Sequence, residues 1–188
     1  MPKAFVALAL AAAATTVPAS QATSQDTRRL ADHLSALNHV TCYPFGLDEI
    51  GRGDSDAGLE IWKKCFMPDY KFSVFLGFGQ PTECPGEKCE LPGATSIEKR
   101  AAFARGIYEK AGYVRTSHQL ANQTVSFNGP ESVHVKSYIS AWHIKGDGSI
   151  VTGVGTWDVD LARSGSGWLI SNEKLVIVGA GALQSLRR

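Results

Sequence analysis

The order in which helical and strand patterns follow one another most constrains the fold of this 188-residue chain. Apolar residues recur at helical spacing before Gly112, whereas the chain beyond it is rich in β-branched and aromatic residues. Four strands are predicted there, over residues 114–127, 133–144, 150–161 and 168–178. Short turns rich in glycine separate them, so consecutive strands should pair antiparallel. Helices followed by such a meander predict an α+β fold, with N-terminal helices covering one face of a curved, mainly antiparallel sheet.

The first helix is expected over residues 24–38. Its apolar side would carry four residues at helical spacing, namely Leu30, Ala31, Leu34 and Leu37. Pro44 and Gly46 should then break the chain before the next helix.

Two further helices are expected before the strands. One begins at the cap-type residues 54–56, places Leu59, Trp62 and Phe66 on one face, and ends near Pro68. The other opens with the capping-box pattern Thr95-Ser96-Ile97-Glu98 and ends at Gly112. Between them we predict a weak strand over residues 70–76 and a long loop over 77–93.

Residues 1–22 have the layout of a secretory signal peptide. Lys3 precedes an unbroken apolar run over residues 4–14, and small residues follow. Cleavage after Ala19 or after Ala22 would satisfy the small-residue rule. The apolar run is too short to span a bilayer, which requires about 20 residues. We therefore expect a secreted or periplasmic protein that does not stay in the membrane after the leader is removed.

The even number of cysteines, four, favours disulfides in an exported chain. Three pairings are open. We favour a bridge between Cys84 and Cys89, which flank a turn-forming segment, and a second between Cys42 and Cys65, which would tie two helical segments together. A zinc site is disfavoured because the chain has no C-x-x-C motif and its histidines are not clustered around the cysteines. No metal is predicted.

Composition and charge exclude several classes of protein. Hydrophobic residues make up 44% of the chain and charged residues 20%, which is typical of a globular protein and excludes a fibrous or wholly disordered one. The formal net charge is only +1. Bulk charge therefore gives no indication of a nucleic-acid partner or an anionic membrane.

Two histidines are predicted to point to the inner face of the sheet. Side chains alternate between the two faces of a strand, so His118 shares a face with Leu120, and His143 with Ala141. Adjacent strands would bring both imidazoles within reach of one pocket, and each can titrate near neutral pH. A single inward histidine is often a hydrogen-bonded core residue, but two on neighbouring strands favour a site.

Several short motifs accompany these histidines. Asp48 lies among apolar residues between the first two predicted helices, where it could also serve as a cap or surface residue. The others are the segment Phe66-Met67-Pro68-Asp69, the spacing His118-x-x-x-Asn122, and Gly155-x-Trp157 followed by Gly167-Trp168. Together they resemble the SnoaL-like branch of the nuclear transport factor two superfamily, over residues 25–179.

Within that superfamily the pattern is most similar to scytalone dehydratase and related dehydratases and isomerases. The resemblance implies a cone-shaped α+β barrel with a pocket at its open end, formed by a single domain over residues 23–188. It also implies catalytic roles for Asp48, His118, His143 and Tyr43. The predicted substrate contacts are Tyr70, Trp62, Phe66 and Asn122. In a regular strand Asn122 would face the pocket with His118, whereas a bulge near it would turn it outward.

Three functions are compatible with these features. The favoured one is an exported lyase or isomerase that needs no metal or organic cofactor and acts on a small, largely apolar molecule, such as a cyclic one. Asp48 would orient His118, which removes a proton while His143 and Tyr43 assist. The second is a secreted module that binds a hydrophobic ligand without turning it over. The third is an interaction protein whose outer sheet face, with Tyr138 and Trp142, forms a homo-oligomer interface.

Overall fold

Four helices and six strands make up the described part of the chain, which is residues 19–76, 90–91 and 96–183 of a computed structural model. In chain order they are α1 (Ala19–Val40), α2 (Cys42–Gly51), α3 (Ser55–Trp62), β1 (Phe66–Leu76), β2 (Glu90–Leu91), α4 (Ile97–Ala111), β3 (Tyr113–Phe127), β4 (Ser132–Lys145), β5 (Ile150–Ser164) and β6 (Gly167–Leu183). Most of the predicted leader and the predicted Cys84–Cys89 bridge lie outside the described residues. Helix α1 begins at Ala19, which falls inside the predicted leader.

The strands form one sheet in the order β2-β1-β6-β5-β4-β3. Strands β3 to β6 pair antiparallel with their neighbours in sequence, as predicted from the short turns. Strand β1 instead pairs parallel with β6, placing the early strand beside the last one. The α+β class and the mainly antiparallel sheet are confirmed.

Helix α2 corrects the predicted break at Pro44 and Gly46, because both residues lie inside it. Pro44 is in the first turn, where a backbone N–H has no intrahelical partner and its absence costs nothing. Gly46 lies against α3, and a Cβ built on it would overlap the Trp62 indole. The glycine therefore permits close helix packing instead of ending the helix.

The second predicted helix is shorter than expected. Helix α3 ends at Trp62, and Phe66 already belongs to strand β1, where it pairs with Ile170 of β6. Pairing with β6 thus overrides the helical spacing of Phe66. Helix α4 agrees with prediction: Ser96 accepts a hydrogen bond from the Lys99 N–H at 3.2 Å, and Gly112 closes the helix at φ +71°. The cap is Ser96, one residue later than the capping-box pattern suggests.

Helix α1 does not bury most of its predicted apolar side. Leu30 and Leu34 are 59% and 52% exposed, whereas Ala36 and Val40 are buried. Asp32, on the same side as Ala36 and Val40, receives two hydrogen bonds from the Arg163 guanidinium at 3.0 and 3.1 Å. A bidentate ion pair and a side of smaller residues thus dock the helix, which leaves the two leucines outside.

The core lies between the helices and the inner face of the sheet. Its largest fully buried side chains are aromatic: Trp62, Trp157, Trp168, Tyr43 and Tyr70. A disulfide joins Cys42, at the start of α2, to Cys65, just before β1, with Cα atoms 6.4 Å apart. This half of the predicted pairing is confirmed. None of the helices in the described ranges is both long and apolar enough to cross a membrane.

Candidate functional site

A cavity of about 320 Å³ lies between α2, α4 and the inner face of the sheet. Most of its wall is apolar, with side chains that include Leu47, Phe72, Val74, Phe103, Ile139 and Leu175. The polar side chains in the wall include Tyr43, Arg100, Tyr108, Tyr113, His118 and His143. A small apolar ligand with a few polar groups would fit such a space.

Asp48 and His118 are in direct contact at this cavity. The imidazole Nδ1 lies 2.7 Å from Asp48 Oδ1, and the backbone N–H of His118 donates to Asp48 Oδ2 at 3.1 Å. Thr116 Oγ1 donates to Oδ1 at 2.9 Å. The carboxylate therefore accepts hydrogen bonds from two residues of β3 and has a fixed orientation. The His118 side chain is only 5% exposed, and Nε2 is the ring nitrogen left to face a ligand.

The position of Asp48 follows from the local structure of α2. Asp48 lies within this helix and not between two helices, as the sequence had suggested. One turn further on, Gly51 packs against Thr116, and a Cβ at that position would overlap the threonine side chain. The missing side chain lets the helix approach β3 closely enough for Asp48 to reach His118.

His143 lies beside His118 in an aromatic environment. The two imidazoles are in edge contact, with centroids 5.3 Å apart, and Tyr113 stacks on His143 at 4.7 Å. Tyr108 completes the cluster at 5.6 Å from His143. Burial, followed by the charge of His118, lowers the pKa of His143 to about 4. His143 is therefore neutral at pH 7.

Tyr43 is fully buried and lies in the cavity wall. Its hydroxyl oxygen accepts a hydrogen bond from Arg100 Nη2 at 3.0 Å. Burial raises the pKa of Tyr43 well above its ordinary value, although the Arg100 charge opposes this effect. The phenol therefore stays protonated at neutral pH and can donate its own proton in a hydrogen bond.

Arg100 lines the cavity and Glu173 is its ion-pair partner, and neither residue was predicted from the sequence. They are 3% and 0% exposed, and Arg100 Nη2 lies 3.7 Å from Glu173 Oε1. Helical spacing could have predicted that Arg100 is buried, because it shares a face of α4 with the buried Ala101 and Ala104. Tyr108, four residues beyond Ala104, lies on the same buried face, and the same helical spacing could have predicted it.

Four predicted substrate contacts lie elsewhere. Trp62, Phe66 and Tyr70 belong to the buried aromatic core and are not among the residues that line the cavity. Asn122 is exposed, has a φ of +50°, and lies where the register between β3 and β4 shifts. The bulge that the sequence left open is therefore present, and it removes Asn122 from the face of His118.

Residues 28–174 match the family model described as the SnoaL-like domain. The chain belongs to the SnoaL-like domain family. The match agrees with the resemblance seen in the Asp48, His118 and Trp157 motifs. Comparison with curated protein sequences finds no relative of this SnoaL-like domain.

Solved structures with the same fold share little sequence with this SnoaL-like domain. A hexachlorocyclohexane dehydrochlorinase, LinA type 3 from Novosphingobium barchaimii, has a TM-score of 0.64 at 12% identity over 87% of this chain and 97% of its own. A protein from Novosphingobium aromaticivorans, provisionally titled a scytalone dehydratase, has a TM-score of 0.60 at 16% identity over 87% and 98%. A third structure, from the same species, is provisionally named an aromatic ring hydroxylase. It has a TM-score of 0.61 at 19% sequence identity, over 82% of this chain and 94% of its own. At these identities the likeness shows the fold alone.

Proposed function

We propose that this SnoaL-like domain is an exported lyase or isomerase that uses Asp48 and His118 for acid-base chemistry on a small, largely apolar substrate. The observation that carries the proposal is the 2.7 Å contact between His118 Nδ1 and Asp48 Oδ1 at the wall of an apolar cavity. An imidazole base of this kind needs neither a metal nor an organic cofactor to remove a proton. A cavity of about 320 Å³ suits a molecule of one or two rings.

Asp48 would set the protonation pattern of His118. With Nδ1–H donated to Asp48 Oδ1, the lone pair of the neutral ring is on Nε2. Nε2 then takes a proton from a carbon next to an electron-withdrawing group, and the carboxylate stabilises the imidazolium that forms. The imidazolium returns the proton to a leaving group in a lyase, or to a different carbon in an isomerase. A positioned base of this kind typically contributes about 10²- to 10⁴-fold to the rate.

His143 and Tyr43 would assist without supplying charge. A neutral His143 is in edge contact with His118, so it does not oppose the imidazolium that forms during the reaction. The protonated Tyr43 phenol lies in the same wall, where it would donate its proton to a substrate oxygen in place of Glu173.

Export is supported by the leader-like residues 1–22 and is compatible with the Cys42–Cys65 disulfide. Disulfides persist mainly in oxidising compartments such as the periplasm or the extracellular space. The names of two structures with the same fold, a dehydrochlorinase and a scytalone dehydratase, favour an elimination reaction for this proposal. Dehydrochlorination and dehydration both remove a proton and a leaving group from adjacent carbons.

A second candidate function is a secreted carrier of small hydrophobic ligands. The mostly apolar wall of the cavity favours it, since such a wall binds ligand whether or not chemistry follows. The two functions differ in whether the contact between Asp48 and His118 has a chemical effect.

The test compares wild type with Asp48→Asn, with exposed Asp69→Asn as the matched control. Side-chain ¹⁵N spectra should show His118 as the Nδ1–H tautomer in wild type and in Asp69→Asn, and a tautomer mixture in Asp48→Asn. Turnover is measured on a panel of hexachlorocyclohexane, scytalone and simple cyclic β-hydroxy ketones. For any substrate that reacts, Asp48→Asn should lower kcat by about 10²- to 10⁴-fold. If His118 has the same tautomer in all three proteins and the panel binds without reacting, the carrier function is correct.

A further inference from the structure

The cavity wall contains a buried cation that the acid-base chemistry does not use. Arg100 reaches the cavity from α4, and its guanidinium lies 4.0 Å above the centre of the Phe72 ring. An arginine is always charged in a protein, so its cavity location requires a specific electrostatic partner.

Within the described residues, that partner is Glu173, which forms a long ion pair with Arg100. Glu173 Oε1 is 3.7 Å from Arg100 Nη2, which is longer than an ordinary charge-assisted hydrogen bond, and it already accepts a hydrogen bond from Trp157 Nε1 at 3.0 Å. Glu173 Oε2 and Arg100 Nε have no hydrogen-bond partner among the described residues. Burial raises the pKa of Glu173, whereas the Arg100 charge and hydrogen bonds with Trp157, Arg100 and Tyr43 oppose this effect.

The guanidinium also donates a hydrogen bond to a neutral group. Arg100 Nη2 donates to the Tyr43 hydroxyl, whose pKa is raised by burial, so this contact does not neutralise the charge. The guanidinium lies over the Phe72 ring, and its Nε–H has no hydrogen-bond partner among the described residues. A planar N–H edge matches the geometry of a carboxylate or enolate.

We propose that Arg100 is the recognition group of the cavity and binds a negatively charged oxygen of the ligand, either a carboxylate or the enolate of a carbonyl compound. The ligands are therefore small apolar molecules that carry one such oxygen. This inference deepens the proposed function and rests on it for the reaction, although the binding can be tested alone.

In the proposed reaction, Arg100 would stabilise the charge that develops when His118 removes a proton. For a β-hydroxy carbonyl compound, the electrons of the broken C–H bond form a C=C bond, and the carbonyl π pair moves to the oxygen as an enolate. The enolate oxygen then re-forms the carbonyl, and the C=C pair shifts to form a double bond between the α and β carbons. This breaks the bond to the hydroxyl group, which takes the proton from the His118 imidazolium and leaves as water. Hydrogen bonds to the developing oxyanion lower the barrier of such a step.

The test uses a matched pair of ligands, cyclohexanecarboxylate and the neutral cyclohexanecarboxamide, at pH 7. Calorimetric titration should show that wild type binds the carboxylate about 10-fold more tightly or better, as expected of a charge-assisted hydrogen bond. Arg100→Met should lose this preference and still bind the amide. The control Arg105→Met removes an exposed arginine of the same helix and should keep the preference. Equal affinities in wild type, no binding of either ligand, or a preference that persists in Arg100→Met would overturn the inference.

A second measurement covers the case in which Arg100→Met does not fold. In wild type, the ¹H–¹⁵Nε resonance of Arg100 should shift with the carboxylate and stay in place with the amide. No carboxylate-specific shift would also overturn the inference. A carboxylate preference without any Asp48-dependent turnover would contradict the proposed function alone, whereas Asp48-dependent turnover without the preference would contradict only the role of Arg100.

Discussion

The contact between Asp48 and His118 depends on neighbouring residues that take no part in proton transfer. Gly51 lets α2 approach β3, and Thr116 donates a hydrogen bond to the same oxygen that faces the imidazole. These neighbours fix the carboxylate before any ligand arrives, which is the condition for an efficient base.

Thr116→Val tests this support because it keeps the shape of the side chain and removes the hydroxyl. The Asp48 carboxylate would lose a charge-assisted hydrogen bond, so we expect the free energy of unfolding to fall by about 1–3 kcal/mol. Urea denaturation measures the effect. Thr124→Val, at an exposed position of the same strand, should change stability by less than about 0.5 kcal/mol. Equal stability of the two variants would show that the hydroxyl does not support the carboxylate.

Residue patterns predicted part of the site and missed the rest for definable reasons. Strand alternation correctly placed His118 and His143 on the inner face, and the family resemblance supplied Asp48. Arg100 was missed because a charged residue on the buried side of a helix contradicts the rule that charges are exposed. Trp62 was misplaced because an aromatic side chain in the core and one in a cavity wall have the same sequence signature.

At the level of elements, the close packing of α2 on α3 depends on facing glycines. A Cβ on Gly46 would overlap Trp62, and one on Gly58 would overlap the backbone oxygen of Gly46 and the Ile50 side chain. The close packing brings the Trp62 indole against α2, where its N–H donates a hydrogen bond to the Tyr43 carbonyl at 3.1 Å. The same pair of glycines therefore supports the helix that carries Asp48.

Gly46→Ala and Gly106→Ala form a matched pair of helix substitutions. Alanine favours helix over glycine by about 1 kcal/mol, and a Cβ on Gly106 meets no atom within 4 Å, so Gly106→Ala should raise the Tm by a few degrees. Gly46→Ala should lower the Tm, because an overpacked core costs about 1–3 kcal/mol. Thermal unfolding followed by circular dichroism measures both. A higher Tm for Gly46→Ala would mean that α2 and α3 can separate at no cost.

The elements themselves were predicted where the signal is local. The four strands after Gly112 and helix α4 follow from turn residues, caps and alternation, and the structure confirms them. The parallel pairing of β1 with β6 was not predicted, because nothing local in an early strand specifies a partner near the other end of the sheet. The buried side of helix α1 was predicted wrongly since its docking depends on the distant Arg163.

At the level of the whole molecule, the buried His143 makes stability depend on pH. Its pKa is about 4 in the folded protein, against about 6.5 in an unfolded chain. Between these two values the unfolded state binds a proton that the folded state does not. The free energy of unfolding therefore decreases as the pH falls through this range.

Urea denaturation at pH 7 and pH 4 measures this dependence. The pKa difference corresponds to a loss of up to about 3 kcal/mol between the two pH values. His143→Gln should remove that part of the loss, whereas His33→Gln, in α1 and outside the cavity, should leave it in place. An identical pH dependence in wild type and His143→Gln would show that His143 is not the group responsible.

The parallel pairing of β1 with β6 also decides when the cavity comes into being. Phe72 and Glu173 are register partners about 100 residues apart, so a long stretch of chain must lose its freedom before they meet. Contacts of such long range slow folding, while the β3 to β6 hairpins can form early. Phe72 on one strand and Leu175 on the other both line the cavity, which is therefore complete only after this late step. A ligand should accordingly select the finished native state, stabilising it by mass action and retarding its unfolding, while doing little to hasten folding.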